Sequence, residues 1–484
     1  TLTPTPTPQV TPTPELSPSA SPTPIASSSP ATTPSPIPSP SPTKDEFNGL
    51  LCSKEFEILR NASGEYWCLK DSNGILRFAK NSTPTKSSGT EYRQKISEVF
   101  YEPPSQASQN IELCKINQVN YQQGQLKSGF PAPVPSYRSE GLVKWVLVPI
   151  DFSDLEGEKN FMNRVEDEMR MASEWAVSTS EGKFQIEWQV YDKWVRLPGK
   201  SIEYSIGPDS NGGFNAPEQQ KFWQIAITEA DKFVDFTGVQ AVQFILPAGQ
   251  QIVKYGVKGN NWYDVVKNYT TGEGTKIDLF SIPSTMFDEP NSGRNYWSWW
   301  MYHFLGGLGV AKYGPTYLAS ELHTYLIHGS TEGARELGGW IRFLVGWLPE
   351  SKVYCRPASE LSTLEITLVP LSDNKTQGVK LAVIPINKTK TLILESRRET
   401  KFSCTTPTQR NGVLAYVYDS TLGHLEEYFK AIAPTGRALE SYSCYASQSR
   451  DLLLHEGDKI TYEGVTIEVK GHGNFDRIRL SYSS

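Results

Sequence analysis

Residues 296–314 read YWSWWMYHFLGGLGVAKYG, an aromatic-rich stretch that runs into a cluster of glycines. Apolar and aromatic residues recur there at helical spacing, which predicts a helix from Tyr296 to Val310. Each glycine of the pair Gly306-Gly307 costs such a helix about 1 kcal/mol relative to alanine. The helix carries three tryptophans, which we expect to belong to the core rather than to a surface that stacks on sugars: Trp297, Trp299 and Trp300.

Strand and helix patterns alternate upstream of this stretch. A continuous apolar run over residues 142–150 predicts a buried strand that ends at Asp151 and Asp154. Those two carboxylates could form a functional pair, but turn capping, or cation binding without catalysis, is the simpler interpretation. The remaining patterns predict helices at 160–177 and 217–236 and strands at 184–190, 239–246 and 276–283.

Beyond Pro349 the sequence changes to short alternating segments separated by turn residues. This pattern predicts strands, and their number and spacing favour a β-sandwich. The predicted strands are 364–369, 379–386, 391–395, 412–418, 459–469 and 478–482.

The predicted fold class is therefore α+β, with four segments. Residues 1–45 are rich in Thr, Ser and Pro and predict a disordered stalk or linker suited to O-glycosylation. Residues 46–138 predict a small extension of loops and short strands. Residues 139–357 form the α/β domain, and residues 358–484 form the C-terminal β-sandwich.

Composition narrows the classes of partner and compartment. The formal net charge is −6, with 47 basic and 53 acidic residues, so there is no basic excess to attract nucleic acid. The sequence contains no apolar run of about 20 residues and therefore predicts no membrane span. The chain opens on Thr1 without a charged and apolar leader, and we expect a signal peptide to have been removed or left out.

The cysteines are widely spaced and include no C-x-x-C pair: Cys52, Cys68, Cys114, Cys355, Cys404 and Cys444. Their even number favours disulfides formed outside the cytosol, with buried free thiols as the alternative. Proximity in the sequence favours a disulfide between Cys52 and Cys68 and another between two of the last three cysteines. Asn-x-Ser/Thr sequons that predict a glycoprotein stand at Asn61, Asn81, Asn268, Asn374 and Asn387.

The stretch at 296–314 resembles the zinc helix of secreted bacterial metallopeptidases of the immune inhibitor A type, where an aromatic-rich approach leads into H-E-x-x-H-x-x-G-x-x-H. The resemblance continues at 333–349 (GARELGGWIRFLVGWLP) and 353–355 (VYC), which look like the segment that closes the family's catalytic domain. It covers roughly residue 141 to the C-terminus and implies a zincin-like metallopeptidase domain.

The chemical positions of the family's motif have changed in this chain. Aligned without a gap, Tyr302 stands at the first ligand, His303 at the glutamate base, Gly306 at the second ligand and Lys312 at the third, while Gly309 keeps the motif's glycine. Zinc needs imidazoles four residues apart on one helix face, with a carboxylate beside the first to polarise water. The resemblance thus implies a degenerate motif without zinc, and it leaves a structural calcium ion open.

Two functional hypotheses follow. The favoured one is a secreted or cell-surface pseudopeptidase that binds a protein or peptide in the former substrate groove, with cell-envelope components or self-assembly as further possibilities. The alternative is an active secreted endopeptidase with a metal site rebuilt from His303, Glu321, His323 and His328. No G-x-S-x-G elbow or reactive-cysteine signature favours another hydrolase. The remaining histidines, His424, His455 and His472, are expected to carry no chemistry.

Overall fold

The computed structural model describes residues 58–61, 64–70, 76–80, 110–121, 126–135, 137–204, 216–248, 250, 257–260, 269–277, 279–282, 295–310, 322, 325, 336–403, 411–423, 426–441 and 448–483. The proposed stalk lies outside these residues. The chain divides into two compact units, residues 1–96 and 97–484.

The first unit contains an antiparallel three-stranded sheet of β1 (Ile58–Asn61), β2 (Gly64–Lys70) and β3 (Leu76–Lys80), with β2 in the centre. Cys68 lies on β2, opposite Phe78 of β3. This agrees with the short strands expected in this part of the chain.

The second unit begins with a short segment that packs on the rest of the unit. Residues 111–114 form a 3-10 turn, and Cys114 forms a disulfide with Cys355, 241 residues later. Cys355 therefore does not belong to the pair expected among the last three cysteines, because the fold brings residue 114 beside the strand that carries it; a pair of Cys404 with Cys444 stays a prediction. Cys52, Cys404 and Cys444 lie outside the described residues.

A mixed sheet forms the centre of the α/β part, in the order β5-β4-β7-β11-β8. Its strands are β4 (Gly141–Asp151), β5 (Phe184–Val190), β7 (Val239–Ile245), β8 (Val257–Asn260) and β11 (Leu279–Ile282). The pairs β5-β4, β4-β7 and β7-β11 are parallel, and the edge strand β8 is antiparallel to β11. The two-residue strands β6 (Val195–Arg196), β9 (Tyr269–Thr270) and β10 (Lys276–Ile277) flank it.

Strand β4 is apolar throughout because both of its faces are covered. Trp145 and Leu147 belong to the core shared with helices α1 (Met162–Thr179) and α3 (Tyr296–Gly307). Val146 and Val148 belong to a second core, which includes Phe222 and Trp223 of helix α2 (Ala216–Ala230). Helix α1 buries Val165, Met169, Ala172, Trp175 and Ala176, the helical spacing that the sequence showed.

The chain after helix α4 (Gly339–Leu344) is built from two sheets. One has the order β12-β14-β15-β16-β17, with β20 also paired to β16; the other has the order β13-β23-β22-β21. The strands of the first sheet are β12 (Val353–Cys355), β14 (Leu381–Pro385), β15 (Lys390–Arg397), β16 (Gly412–Asp419), β17 (Phe429–Ala431) and β20 (Leu453–Leu454). Those of the second are β13 (Leu364–Leu368), β21 (Lys459–Tyr462), β22 (Val465–Gly471) and β23 (Asp476–Tyr482), and β18 (Leu439–Ser441) pairs with β19 (Gln448–Arg450) apart from both.

The first of these sheets is also buried on both faces. On β14, Leu381 and Val383 face the core that contains α1, α3 and α4, whereas Ala382 and Ile384 face the core shared with the second sheet. Residues 97–484 therefore stack helices and three sheets in successive layers, and α3 lies within the core that joins them.

Most predicted elements are found, and the differences have local causes. The strand expected at 459–469 is a hairpin, since Glu463 and Gly464 both have positive φ (44° and 82°) and reverse the chain. The segment expected as one strand at 276–283 is divided between β10, which pairs with β9, and β11, which pairs with β7 and β8. Helix α2 ends at Ala230, before the expected Phe236.

Candidate functional site on helix α3

Helix α3 is fixed at its start by contacts from the preceding part of the unit. The carboxylate of Glu168 on α1 accepts the backbone N–H of Trp297 at 2.9 Å. Arg164 of the same helix donates to the hydroxyl of Tyr296 at 3.1 Å. A carboxylate near a helix N-terminus also interacts favourably with the helix dipole, so α3 has a defined position against α1.

The three tryptophans of α3 divide into two environments. Trp297 and Trp300 are buried, as expected for core residues. Trp299 is only half-buried, and its ring stacks on that of Tyr302, which is also half-buried, with the centroids 6.4 Å apart. The two least buried side chains of α3 thus form an aromatic pair, Trp299 and Tyr302.

His303 stands at the position of the motif's glutamate and faces the interior. Its side chain is 2% exposed. The centroid of its ring lies 4.1 Å from that of Trp299 and 4.9 Å from that of Tyr302, and in both pairs the ring planes are nearly perpendicular. A general base needs access to a water molecule, and a ring this deeply buried is shielded from bulk water.

The helix ends where the motif's glycine predicts a reversal. Gly309 has φ of +75°, a conformation that favours glycine, and a Cβ there would lie 2.9 Å from Pro133. Gly307, the last residue of the helix, packs directly against the ring of Tyr137. A larger residue would not fit there, which explains why this position is glycine. The helix therefore stops at Gly307 rather than at Val310.

The residues at the motif positions do not fit a zinc ion. Gly306 supplies no donor atom, and Tyr302 supplies a single phenol that stacks on Trp299. Lys312 lies outside the described residues, but its ammonium group is a donor of protons and not a ligand of cations. Zinc sites use three or four nitrogen, sulfur or carboxylate ligands, and this set does not contain them.

The alternative metal site falls mostly outside the described residues, because Glu321, His323 and His328 do. Across the ranges that the structure describes, no three or more His, Cys, Asp or Glu residues form a group able to hold a metal ion. Only His303 of the proposed set can be placed, and it lies against Trp299.

Asp151 and Asp154 have separate structural partners at the end of β4. Buried Asp151 accepts two hydrogen bonds from the guanidinium of Arg196, at 2.6 and 2.9 Å, and one from the backbone N–H of Gly157. Asp154 accepts the backbone N–H and the hydroxyl of Ser201, and these bonds lower its pKa. Both carboxylates hold loops together, which agrees with the simpler interpretation of the sequence.

The described C-terminal histidines each bond to an aspartate four residues away. His455 Nε2 lies 2.5 Å from Asp451, and His472 Nδ1 lies 2.6 Å from the buried Asp476. Asp476 also accepts a hydrogen bond from the hydroxyl of Ser396 and forms an ion pair with Arg398. His424 lies outside the described residues.

Sequence reasoning missed two buried charge networks. In one, Arg397 pairs with Glu336 and with Glu395, whose other oxygen accepts the backbone N–H of Gly339 at the start of α4. In the other, Glu181 pairs with both Lys352 and Lys380. The charges are separated by up to 199 residues in sequence, so no local pattern could have identified either network.

Comparison with known proteins assigns no family. No protein-family model matches this chain, and a search of curated proteins gave no significant match. In the part of the chain that the structure describes, no helix is long and apolar enough to cross a bilayer.

Proposed function

We propose that this chain is a secreted or cell-surface pseudopeptidase, a non-catalytic protein with the fold of an immune inhibitor A-type metallopeptidase. One observation carries the proposal. On α3, Gly306 offers no ligand where the second imidazole would stand, and His303 is packed against Trp299 where the base would stand.

The architecture supports the fold assigned here. A mixed sheet with an antiparallel edge strand packs against the helix that carries the motif positions, and Gly309 keeps the positive φ that the motif's turn requires. The two C-terminal sheets share one core, including Leu392, Val413 and Ile478, which supports a β-sandwich.

The disulfide supports the proposed location. Cys114 and Cys355 are both buried and bonded, and such bonds persist mainly in proteins outside the reducing cytosol.

The proposed binding surface is the partly exposed patch on α3 that is formed by the stacked rings of Trp299 and Tyr302. Half-buried aromatic rings supply large contact area at a small entropic cost, which suits binding of an extended peptide. The ligand is proposed to lie along this helix without being cleaved.

The experiment combines metal content, proteolysis and binding on the full chain. Elemental analysis after purification is expected to give zinc well below one ion per chain, and casein is expected to remain intact with or without a chelator. Stoichiometric zinc with chelator-sensitive casein cleavage would instead establish the rebuilt endopeptidase.

Binding is tested with unfolded casein immobilised on a sensor. The double variant Trp299→Ala/Tyr302→Ala is expected to lose most of the binding, while the matched variant Phe233→Ala, which removes a ring 60% exposed elsewhere on the unit, retains it. Equal binding by all three proteins would exclude α3 as the binding surface.

A further inference from the structure

Buried Lys380 and the half-buried residues Asn374 and Glu181 meet in one cluster between the α/β part and the first C-terminal sheet. The Nζ atom of Lys380 lies 3.1 Å from Oδ1 of Asn374 and 2.5 Å from Oε1 of Glu181. The amide nitrogen of Asn374 donates to the carbonyl oxygen of Ser178 at 2.7 Å, which fixes the orientation of the amide. The amine of Lys380 thereby contacts a carboxamide and a carboxylate at the same time.

The cluster contains two lysine amines, those of Lys352 and Lys380, for the single carboxylate of Glu181. The other oxygen of Glu181 binds Nζ of Lys352 at 2.6 Å, and the side chains of Lys380, Glu181 and Lys352 are 0%, 9% and 10% exposed. Burial disfavours a charged amine, and it lowers the pKa of Lys380 to about 8, assisted by the positive charges of Arg342 and Lys352. The neutral, nucleophilic form of Lys380 is therefore accessible near neutral pH.

The backbone at Glu181 is held in a conformation that its residue type disfavours. Glu181 has φ of +55° and precedes Gly182, whose φ is +83°. A non-glycine residue in this region is uncommon and persists where the surroundings fix it. Here the two lysines bind the carboxylate of Glu181, and one of them, Lys380, also contacts the amide of Asn374.

We propose that Lys380 and Asn374 form an intramolecular isopeptide bond in the folded protein, with Glu181 as the proton carrier. The Nζ–Cγ bond forms and the Cγ–Nδ2 bond of Asn374 breaks. One molecule of ammonia leaves, and no oxidation, reduction or external reactant is involved.

The proton balance closes within the cluster. Glu181 accepts a proton from Nζ of Lys380, the free amine attacks Cγ of Asn374, and a tetrahedral intermediate forms. Glu181 then passes this proton to the departing Nδ2, which already carries two hydrogens, so that ammonia leaves. Glu181 takes up the second proton from Nζ and passes it to that ammonia, which departs as ammonium. The product is a neutral amide, which leaves Glu181 and Lys352 as a pair of one carboxylate and one ammonium.

The test is peptide mapping of the full chain after reduction, alkylation and trypsin digestion. Trypsin cleaves after Lys375 between the two partners but cannot cleave after an acylated Lys380. The expected product is a branched peptide in which the segment ending at Lys375 stays attached to the segment that begins at Thr376, with a mass lower by one ammonia. A succinimide at asparagine also loses ammonia, but it leaves these peptides separate.

Variants locate the chemistry. Lys380→Arg and Asn374→Ala are expected to abolish the branched peptide, and Glu181→Gln to reduce its yield at least tenfold. The matched controls Lys375→Arg, on the same loop, and Asn387→Ala, on an exposed turn, are expected to leave it unchanged.

The wild-type protein alone can overturn the proposal, whatever the folding of the variants. Separate linear peptides cut after both Lys375 and Lys380, in folded protein incubated at pH 8, would exclude the bond. A branched peptide that persists at wild-type yield in Glu181→Gln would exclude Glu181 as the proton carrier. The inference does not depend on the proposed function.

Discussion

The imidazole of His303 lies edge-on to the indole of Trp299, with ring centroids 4.1 Å apart and ring planes at 79°. This contact gives His303 a structural role, because its side chain is 2% exposed and packs in the core.

Replacement of His303 by alanine is expected to lower the free energy of unfolding by about 1–3 kcal/mol, because it opens a gap beside Trp299 in a packed core. Urea unfolding followed by tryptophan fluorescence measures the change. A chelator should leave the wild-type transition unaltered. If the chelator instead destabilised the wild type as much as the substitution does, His303 would be a metal ligand.

Replacement of Gly307 by alanine is expected to destabilise the protein by about 1–3 kcal/mol, despite alanine's higher helix propensity. The reason is that a Cβ atom would lie 1.6 Å from Cζ of Tyr137. Thermal unfolding checks this, with Gly473→Ala as a near-neutral control, since an added Cβ meets nothing there within 4 Å. In the Tyr137→Ala variant, the Gly307→Ala change should become stabilising. If it still destabilised that variant, the clash would not be with Tyr137.

Removal of the Cys114–Cys355 disulfide is expected to have a large effect because the bond closes a loop of 241 residues. The chain-entropy model gives about 5 kcal/mol for a loop of this size. The double variant Cys114→Ser/Cys355→Ser should unfold at a much lower urea concentration than oxidised wild type. Identical midpoints for oxidised wild type and the double variant would contradict the prediction.

The ion pair of His455 and Asp451 is expected to make stability depend on pH in two windows. The hydrogen bond to Asp451 raises the pKa of His455, with burial and Arg437 opposing and Asp458 assisting. The contribution of this histidine is therefore complete below the unfolded pKa of 6.5 and is lost as the pH rises through the higher folded value.

Asp451 acts in the acid range. Burial opposes its ionisation, but hydrogen bonds from His455, Leu453 and Tyr325 outweigh burial and lower its pKa to about 2. Its contribution is present above the unfolded pKa of 3.8 and is lost as the pH falls through the folded value of about 2. Urea midpoints of wild type and His455→Gln should diverge at pH 6 and converge at high pH; parallel curves throughout would show that the pair does not stabilise the fold.

The two described sequons at Asn374 and Asn387 are expected to differ when the chain is secreted from a glycosylating host. Asn387 is exposed on the turn between β14 and β15, and its Oδ1 accepts hydrogen bonds from Thr389 and Lys390. The amide nitrogen of half-buried Asn374, in contrast, is engaged in a hydrogen bond to the carbonyl oxygen of Ser178. Glycopeptide mapping should find glycan on Asn387 and none on Asn374, and the reverse occupancy would contradict the packing of Asn374.

The periodicity of the chain predicted most elements because each pattern reflects which faces are buried. The apolar run of β4 and the helical spacing of α1 follow directly from covered faces, and the structure contains both. The substitution of Gly306 at a ligand position could also be recognised from the sequence, since a missing side chain cannot coordinate a metal in any fold.

Other features depended on contacts between distant segments. The pairing of Cys114 with Cys355, the division of residues 276–282 between two strands, and the inward orientation of His303 are set by neighbours far away in the chain. The same holds for the cluster of Glu181, Asn374 and Lys380, whose members come from the loop after α1 and the loop before β14.

The sequence by itself determined the alternation of helices and strands, the change to β structure after Pro349 and the residue types at 302, 306 and 312, none of which is an imidazole, because these depend on local residue identity and spacing. Only the tertiary structure decided which charges are buried together and which aromatic rings face outward. Burial and pairing energies arise when segments remote in sequence come into contact, and local spacing carries no information about those contacts.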